Sequence, residues 1–183
     1  MVGMRRVWIV GLCAAWFLGA CMSPGRQQRA ELPYWYLNPP VADEQIYGVG
    51  MADMANLSTG RTAAIARARD DIARQVSVTV ESSLTDYAQE AGAGRGRDVL
   101  QFVETVSRQI TSVTLEGSRA EEVVVADDGT VYALVVLSTA MLREAASAEF
   151  VRNEGVAFAD FKAGEAVAAL DRQLAENPTR AGQ

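Results

Sequence analysis

Apolar and polar positions divide the chain into a continuous apolar run near its start and a long region of periodic patterns after it. Residues 7–20 form the apolar run, Arg5 and Arg6 precede it, and the small residues Gly19 and Ala20 end it. This three-part pattern is typical of a secretory signal peptide. The run is shorter than the ~20 residues that a helix needs to cross a bilayer. We therefore predict that residues 1–20 are cleaved.

The next pattern predicts a strand, a helix and a second strand. Gln45 to Ala52 indicates a strand that leads into a turn, and an Ala- and Arg-rich helix follows from about Ser58 to Gln75. One face of this helix carries Ile65, Ala68, Ile72 and Val76. From 76 to 84, Val76, Val78, Val80 and Leu84 alternate with Ser77, Thr79 and Glu81, which predicts a half-buried strand.

A second helix and a hairpin follow a glycine-rich loop at residues 92–96. The helix is predicted from about Asp98 to Ile110, and strand character returns from Ser112 through Leu115 and again over 123–125. Asp128-Gly129 between two β-rich runs predicts a tight hairpin. The strand from Val131 to Leu137 is apolar on both faces, so we expect it to be central.

An Ala-rich segment with helical periodicity closes the chain. Ser138 or Thr139 is suited to cap it, and it extends to Asn177-Pro178. Its apolar positions recur at gaps of three and four, which predicts one helical face formed by Val156, Ala159, Ala163, Val167, Leu170 and Leu174. This face packs either on the sheet of its own domain, which we favour, or on a partner helix.

These elements predict an α+β fold. We expect a small antiparallel sheet of about four strands, in the chain order strand, helix, strand, helix, hairpin, with helices packed on one face and an Ala-rich C-terminal helix added. The predicted organisation is a signal peptide at 1–20, a lipidated Cys and flexible tether at 21–32, an α+β domain at 33–147, and a C-terminal helix and tail at 148–183.

The residues around the predicted cleavage point indicate where the mature protein is located. Leu18-Gly19-Ala20-Cys21 resembles the lipobox of bacterial lipoproteins, in which the cysteine is acylated and becomes the first residue of the mature chain. Several acyl chains hold a protein on a membrane effectively permanently, since each buried CH₂ adds about 0.8 kcal/mol. Met22 stands where an Asp tends to retain lipoproteins in the inner membrane, which favours the outer membrane. The alternative is an ordinary signal peptide cleaved after Ala20.

A proline-framed aromatic segment lies between the predicted tether and the first strand. Leu32 to Pro40 contains Tyr34, Trp35 and Tyr36 in succession, and its prolines oppose regular strand pairing. We expect an extended segment laid against the domain. Trp35 then either covers the core of its own domain, which we favour, or anchors a partner protein.

Composition and charge narrow the possible functions. The whole chain has a net charge of −6, and removal of residues 1–20 leaves 15 basic and 23 acidic side chains, a net charge of −8. This balance argues against nucleic acid as a partner. The chain has no His, and its cysteines are Cys13, which leaves with the signal peptide, and Cys21. His-dependent catalysis and thiol chemistry are therefore not expected in the mature chain.

The remaining candidates for chemistry are carboxylates and glycines. The neighbouring acids Asp70/Asp71, Glu121/Glu122 and Asp127/Asp128 point to different sides of a helix or strand, so we interpret them as surface features. On the first helix, i,i+4 spacing predicts the pairs Arg67–Asp71 and Asp70–Arg74. Gly48 and Gly50 lack the third glycine of a dinucleotide fingerprint. We predict no catalytic, cofactor-binding or metal-binding residues, no cofactor and no enzymatic activity; Cys21 is the one predicted site, for lipid attachment.

The order of the motifs resembles a known family. The motifs are the acylated Cys, Pro-x-Trp-x-x-Asn-Pro-Pro from Pro33 to Pro40, Tyr-Gly-Val-Gly at 47–50, an Ala/Arg helix running into Val-Ser-Val, and the hairpin around Asp128-Gly129. Together they look like the LPP-twenty (twenty-kilodalton lipoprotein) family of bacterial outer-membrane lipoproteins, over about Pro33 to Ala145. The resemblance implies a small α+β domain on a lipid anchor, and the segment beyond Glu149 departs from the family pattern.

The combined expectation is a non-enzymatic outer-membrane lipoprotein, facing the periplasm, that is a structural or adaptor component of the cell envelope. The alternative is a regulatory lipoprotein for a peptidoglycan synthase or a flagellar outer-membrane structure, and a carboxylate-based envelope hydrolase is the weaker third. The expected partners are the membrane, through the lipid anchor, and an envelope protein that the sequence does not identify. Self-association into a homo-oligomer stays open.

Overall fold

A computed structural model describes residues 32–158 and 160–176 of the 183-residue chain. The predicted signal peptide, Cys21, nearly all of the tether and Asn177-Pro178 lie outside these residues. The described part contains five helices and three strands, which confirms the α+β class. In chain order they are α1 (Tyr34–Leu37), β1 (Gln45–Ala52), α2 (Leu57–Glu90), α3 (Arg97–Glu116), β2 (Arg119–Val125), β3 (Val131–Ser138), α4 (Thr139–Asn153) and α5 (Ala163–Glu176).

The sheet is antiparallel and has the order β1-β3-β2. Gln45 pairs with Ser138 and Ala52 with Val131, so β1 and β3 match along their whole length. Residues 131–137 of β3 are all buried, which confirms the prediction of a central strand covered on both faces. The predicted hairpin is also confirmed: Gly129 has a φ of +87°, and the Thr130 N–H donates to Asp128 Oδ1 at 2.9 Å.

The predicted strand at 76–84 is wrong, because this stretch is the second half of the 34-residue helix α2. Val76, Val80 and Leu84 are buried, and Val78 between them is 64% exposed. A strand would bury 76, 78 and 80 on one face, whereas a helix buries every third or fourth residue. The burial follows the helical spacing, so the sheet has three strands and two helices follow β1 directly.

The strand character predicted from Ser112 to Leu115 is also wrong. These residues are the last turn of α3, in which Thr114 is buried and Val113 is exposed. The hydroxyl of Thr114 donates to the Ile110 carbonyl at 2.6 Å, a bond along the helix that a β-branched polar residue makes readily. The helix ends at Glu116 with Gly117 as its C-cap, and β2 begins at Arg119.

Helix α2 packs directly on β1 at Gly48 and Gly50. A Cβ built on Gly48 would lie 2.2 Å from the Ala68 carbonyl oxygen, and one on Gly50 would lie 2.2 Å from the Ala64 carbonyl oxygen. Any side chain at these positions would collide with helix backbone. Glycine on the strand opposite alanine on the helix therefore lets two backbones approach to contact distance.

Three polar side chains of α2 also bond the outer edge of β1. Gln75 Nε2 donates to the Tyr47 carbonyl at 2.8 Å, the Val49 N–H donates to Asp71 Oδ2 at 3.2 Å, and Arg67 donates to the Met51 carbonyl. Four helix residues rise about 6 Å and two strand residues about 6.8 Å, so a spacing of four on α2 matches a spacing of two on β1. This edge of the sheet is thereby closed by side chains.

The bonds to the strand change the predicted ion pairs on α2. The predicted pairs Arg67–Asp71 and Asp70–Arg74 are wrong, because Arg67 and Asp71 turn toward β1. The ion pair that forms is Arg74–Asp71, at 3.0 Å and i,i+3 spacing. Asp71 thus accepts from a strand amide and from a guanidinium at the same time.

The predicted single C-terminal helix is divided into α4 and α5. The prediction of one buried face is confirmed at Ala163, Leu170 and Leu174, which are buried. It is wrong at Val156, which is 77% exposed. Ala159 lies outside the described residues. Between the helices, Phe158 and Phe161 turn into an aromatic cluster with Tyr87 and Phe102, in which Phe102 and Phe161 have ring centroids 5.2 Å apart. The segment between α4 and α5 thus packs the rings of Phe158 and Phe161 against the core.

Helix α5 belongs to the core of its own domain. Ala166, Leu170 and Leu174 join the same buried cluster as β3 and α2, and Arg172 pairs with Glu90 of α2 at 3.0 Å. Helix α5 therefore packs on its own domain, as favoured, but against the helices α2 and α4, and the prediction that it packs on the sheet is corrected. Helix α4 continues through the predicted domain boundary between Ser147 and Ala148.

The contact between α2 and β1 predicts a large effect of Gly50→Ala. Since the added Cβ meets backbone that cannot rotate away, we expect a loss of at least about 1–3 kcal/mol in the free energy of unfolding. Gly164→Ala is the matched control, because nothing lies within 4 Å of its Cβ position on α5. Chemical denaturation of both variants measures the difference, and equal stabilities would contradict the close packing.

The division of the C-terminal segment predicts opposite results for two residues of one sequence pattern. Leu170→Ala should cost about 2–5 kcal/mol, because Leu170 is fully buried between α5 and the core. Val156→Ala should change stability by less than about 0.5 kcal/mol, because Val156 faces solvent. A similar loss at both positions, measured by urea titration, would instead support one continuous packed helix.

Candidate functional site

Helix α1 lies on the face of the sheet opposite α2. A helix of four residues has no stability of its own, so its place is set by the side chains that it buries. Trp35 packs against a second buried cluster formed by Tyr47, Leu134 and Val136. The ring of Tyr36 meets that of Tyr132 edge-on, with centroids 5.0 Å apart. This confirms Trp35 as a cover over the domain's own core.

The segment around α1 is short and stiff for identifiable reasons. Pro33 precedes the helix, the Tyr36 N–H donates to the Pro33 carbonyl at 2.9 Å, and the Asn38 N–H donates to the Tyr34 carbonyl at 3.0 Å. Pro39 and Pro40 then prevent the helix from continuing. The prediction of an extended segment is corrected at 34–37, which form one helical turn, and the proline-framed motif fixes which side of that turn faces the sheet.

The outward side of the same segment exposes four apolar side chains, together with the polar Asn38. We call it the α1 patch: the exposed side chains of Leu32, Tyr34, Leu37 and Val41. Tyr34 is 80% exposed and Leu37 is 67% exposed, and their i,i+3 spacing places them on one side of the turn. Since Trp35 and Tyr36 hold the inner side, the patch cannot turn inward. The α1 patch is the candidate interaction surface of the described domain.

The paired carboxylates do not converge on a common point. Asp71 bonds the edge of β1, whereas Asp70 beside it is exposed. Glu121 pairs with Arg119 at 3.5 Å on the edge strand β2, and the chain bulges between Ala120 and Glu122. Within residues 32–158 and 160–176, no group of three or more acidic or thiol side chains is arranged to hold a metal ion.

Asp128 has a structural part in the hairpin. The Thr130 N–H that it accepts holds the pKa of its carboxyl below the usual value, because the bond favours the ionised form. Asp127 next to it is exposed. The third acidic pair is thus one turn-forming residue and one solvated residue.

The two tyrosines beneath α1, Tyr47 and Tyr132, have raised pKa values. Burial raises the pKa of Tyr47, and the nearby Glu121 raises it further. Burial also raises the pKa of Tyr132, with smaller contributions from Asp128 and Tyr36. A general base works best with a pKa near the operating pH, so these hydroxyls stay protonated donors. The cluster under α1 is built for packing and hydrogen bonding.

A comparison with protein-family models matches residues 33–138 to the LPP20 lipoprotein family. The match begins at Pro33, covers α1 and the whole sheet, and ends with the last residue of β3. The chain belongs to the LPP20 lipoprotein family. This confirms the resemblance seen in its motifs and indicates a lipoprotein of the cell envelope. A comparison with curated proteins gave no match.

The matched region contains both short motifs of the first strand and of the segment before it. Pro-x-Trp-x-x-Asn-Pro-Pro forms α1, and Tyr-Gly-Val-Gly forms the part of β1 that touches α2. The helices α4 and α5 lie beyond the matched region, yet α5 completes the core. Cys21, the predicted lipid-attachment residue, lies outside the described residues. Across 32–158 and 160–176, no helix combines the length and hydropathy required to span a membrane.

Sequence reasoning missed two polar groups that the structure uses. Glu149 is buried on α4, where it pairs with Arg152 and accepts from Asn153 Nδ2 at 2.7 Å. Tyr87 at the end of α2 accepts from the Lys162 N–H at 2.8 Å, which fastens the turn before α5. Glu149 and Arg152 are three apart, and that spacing was available in the sequence; the bond of Tyr87 across 75 residues was not.

The second core cluster predicts a loss of stability from Leu134→Ala. Leu134 lies on the α1 side of the sheet and is buried beneath α1, so we expect a cost of about 2–5 kcal/mol. Leu100→Ala on α3 is the control, because Leu100 is half exposed and should cost less than about 1 kcal/mol. If denaturation gave Leu134→Ala a cost as small as the control's, α1 would not cover this face in solution.

Proposed function

We propose that this LPP20 lipoprotein is anchored in the outer membrane through acylated Cys21 and acts, on the periplasmic side, as a non-enzymatic structural or adaptor component of the envelope. The observation that carries the proposal is the family match over the whole sheet and α1. Leu18-Gly19-Ala20-Cys21 supports the anchor, and Met22 supports the outer membrane.

The arrangement of the domain supports an adaptor over an enzyme. The acidic pairs are used for edge bonding, for a turn and for exposed surface, so they offer no two carboxylates facing one bond. The α1 patch, in contrast, presents apolar side chains on a turn held rigidly from beneath. A rigidly held apolar surface is suited to contact, with another protein or with the membrane, because less freedom is lost on binding.

The length of the tether supports a role close to the membrane. Cys21 and Leu32 are 11 residues apart, which allows at most about 40 Å when fully extended. A regulator that acts on a distant partner across the periplasm would need a longer reach. An adaptor that acts beside its own anchor does not.

The anchor predicts that Cys21→Ser abolishes membrane attachment and leaves the domain folded. Ile46 is the first residue of the main core cluster in the described part, so we expect the domain to fold without the Cys21 thiol. Cell fractionation with fatty-acid labelling measures attachment, and circular dichroism of the released protein checks the fold. Unchanged recovery in the membrane, together with no label on the wild type, would contradict acylation at Cys21.

The adaptor role is tested by crosslinking in intact cells. Lys162 is the sole lysine of the chain, so amine-reactive reagents are poorly suited. A photo-reactive residue at Val125, Val113 or Val151 probes three exposed positions on β2, α3 and α4. One envelope protein captured from one position, and not from the others, would support an adaptor. Detection of hydrolytic activity on envelope polymers, lost on carboxylate substitution, would overturn the proposal.

A further inference from the structure

We propose that the α1 patch rests in the lipid headgroup region of the same bilayer that holds the acyl chains of Cys21. This inference depends on the proposed lipid anchor. It adds that the anchor is not the only contact with the membrane, because the folded domain itself lies on the lipid through Tyr34 and Leu37. The domain then has a fixed face toward the membrane.

Exposed apolar side chains are concentrated around α1. Of the fourteen large apolar side chains exposed in residues 32–158 and 160–176, four lie within the ten residues from Leu32 to Val41. Met51, Met54 and Leu57 form a smaller group around the end of β1, in which both methionines are less than 40% exposed, and Val78, Val113 and Val151 are single residues on helices. Scattered exposure is normal for a soluble surface, whereas a cluster marks an interaction site.

The side chains of the α1 patch are of the types that suit a membrane–water interface. A tyrosine with an apolar ring and a polar hydroxyl suits the membrane–water interface, and a leucine one turn away gives the apolar group that enters it. Tyr34 is almost fully exposed while its neighbours Trp35 and Tyr36 are held against the sheet. The turn therefore presents its apolar side outward whether or not a membrane is near.

The tether joins the domain at the α1 patch. The described domain begins at Leu32, which is itself part of the α1 patch, and Cys21 is 11 residues before it. A chain of 11 residues keeps this end of the domain within about 40 Å of the acyl chains. A short link of this kind raises the effective concentration to the millimolar range, so that a weak contact becomes occupied.

Charge does not account for such a contact. The mature chain has a net charge of −8, which disfavours an anionic membrane surface. The cleft beside Tyr36 contains Arg67 and Arg74, but Arg67 bonds the Met51 carbonyl and Arg74 pairs with Asp71. These cations are occupied locally, so the attraction comes from the aromatic and apolar side chains. We therefore expect the contact to depend little on ionic strength.

The test uses the full acylated protein in vesicles of phosphatidylethanolamine and phosphatidylglycerol. Acylation consumes the thiol of Cys21, so Leu37→Cys gives a single reactive thiol for an environment-sensitive fluorophore. Val151→Cys is the matched control, since Val151 is 62% exposed and Leu37 67%. We expect lipids with a quencher near the headgroup to reduce fluorescence several-fold at position 37 and hardly at all at 151, equally in low and high salt.

The outcomes separate the inference from the anchor on which it depends. Protein that floats with the vesicles but shows equal, weak quenching at 37 and 151 overturns the contact and leaves the anchor intact. A blue shift at 37 without lipid quenching shows that a protein or a second copy covers the patch, and it also overturns the inference. Failure to float, with no acyl mass on Cys21, overturns both. A label at Tyr34→Cys repeats the measurement in case the first label disturbs α1.

Discussion

The fold depends on the direct contact between helix α2 and strand β1. Gly48 and Gly50 have no side chain to separate the strand from the backbone of Ala64 and Ala68. Because the helix backbone lies so close to the strand backbone, polar side chains of α2 extend past β1 and bond its outer edge, as Asp71 does at Val49. One contact thus sets the position of the longest helix and closes one edge of a sheet that has only three strands.

The length of α2 makes that contact serve the whole domain. Of its ten buried residues, Ser83 and Tyr87 lie near the end, beside the other eight, which recur at every fourth position: Gly60, Ala64, Ala68, Ile72, Val76, Val80, Leu84 and Ala88. Four residues turn a helix by about 400°, so this buried stripe winds around α2 by about 40° at each step. Its first half faces the sheet, while Ser77 meets Ser107 of α3, and Tyr87 at its end holds the turn before α5. The other face of the sheet is left to α1.

Local patterns predicted β1, the hairpin and the central strand, because turn chemistry and two-sided burial are written in neighbouring residues. The stretch 76–84 could not be resolved in the same way. Val76, Val80 and Leu84 fit both a strand and a helix, and Val78 distinguishes them only once its exposure is known. The sequence identified the aromatic segment and the two possible roles of Trp35, a cover over the core or an anchor for a partner. It could not identify the α1 patch. Which side of the turn faces outward depends on contacts with residues of β3 that are more than ninety positions away in the chain.

The proposed function and the membrane contact both require a lipid anchor at Cys21, at the start of the tether that leads to the apolar turn. Mass spectrometry of the mature protein, purified from the outer-membrane fraction and digested with trypsin, tests this anchor most directly. We expect an N-terminal peptide Cys21–Arg26 that carries the mass of a diacylglyceryl group and an N-acyl chain. An unmodified peptide beginning at Cys21, or a mature chain that retains residues 1–20, would contradict it.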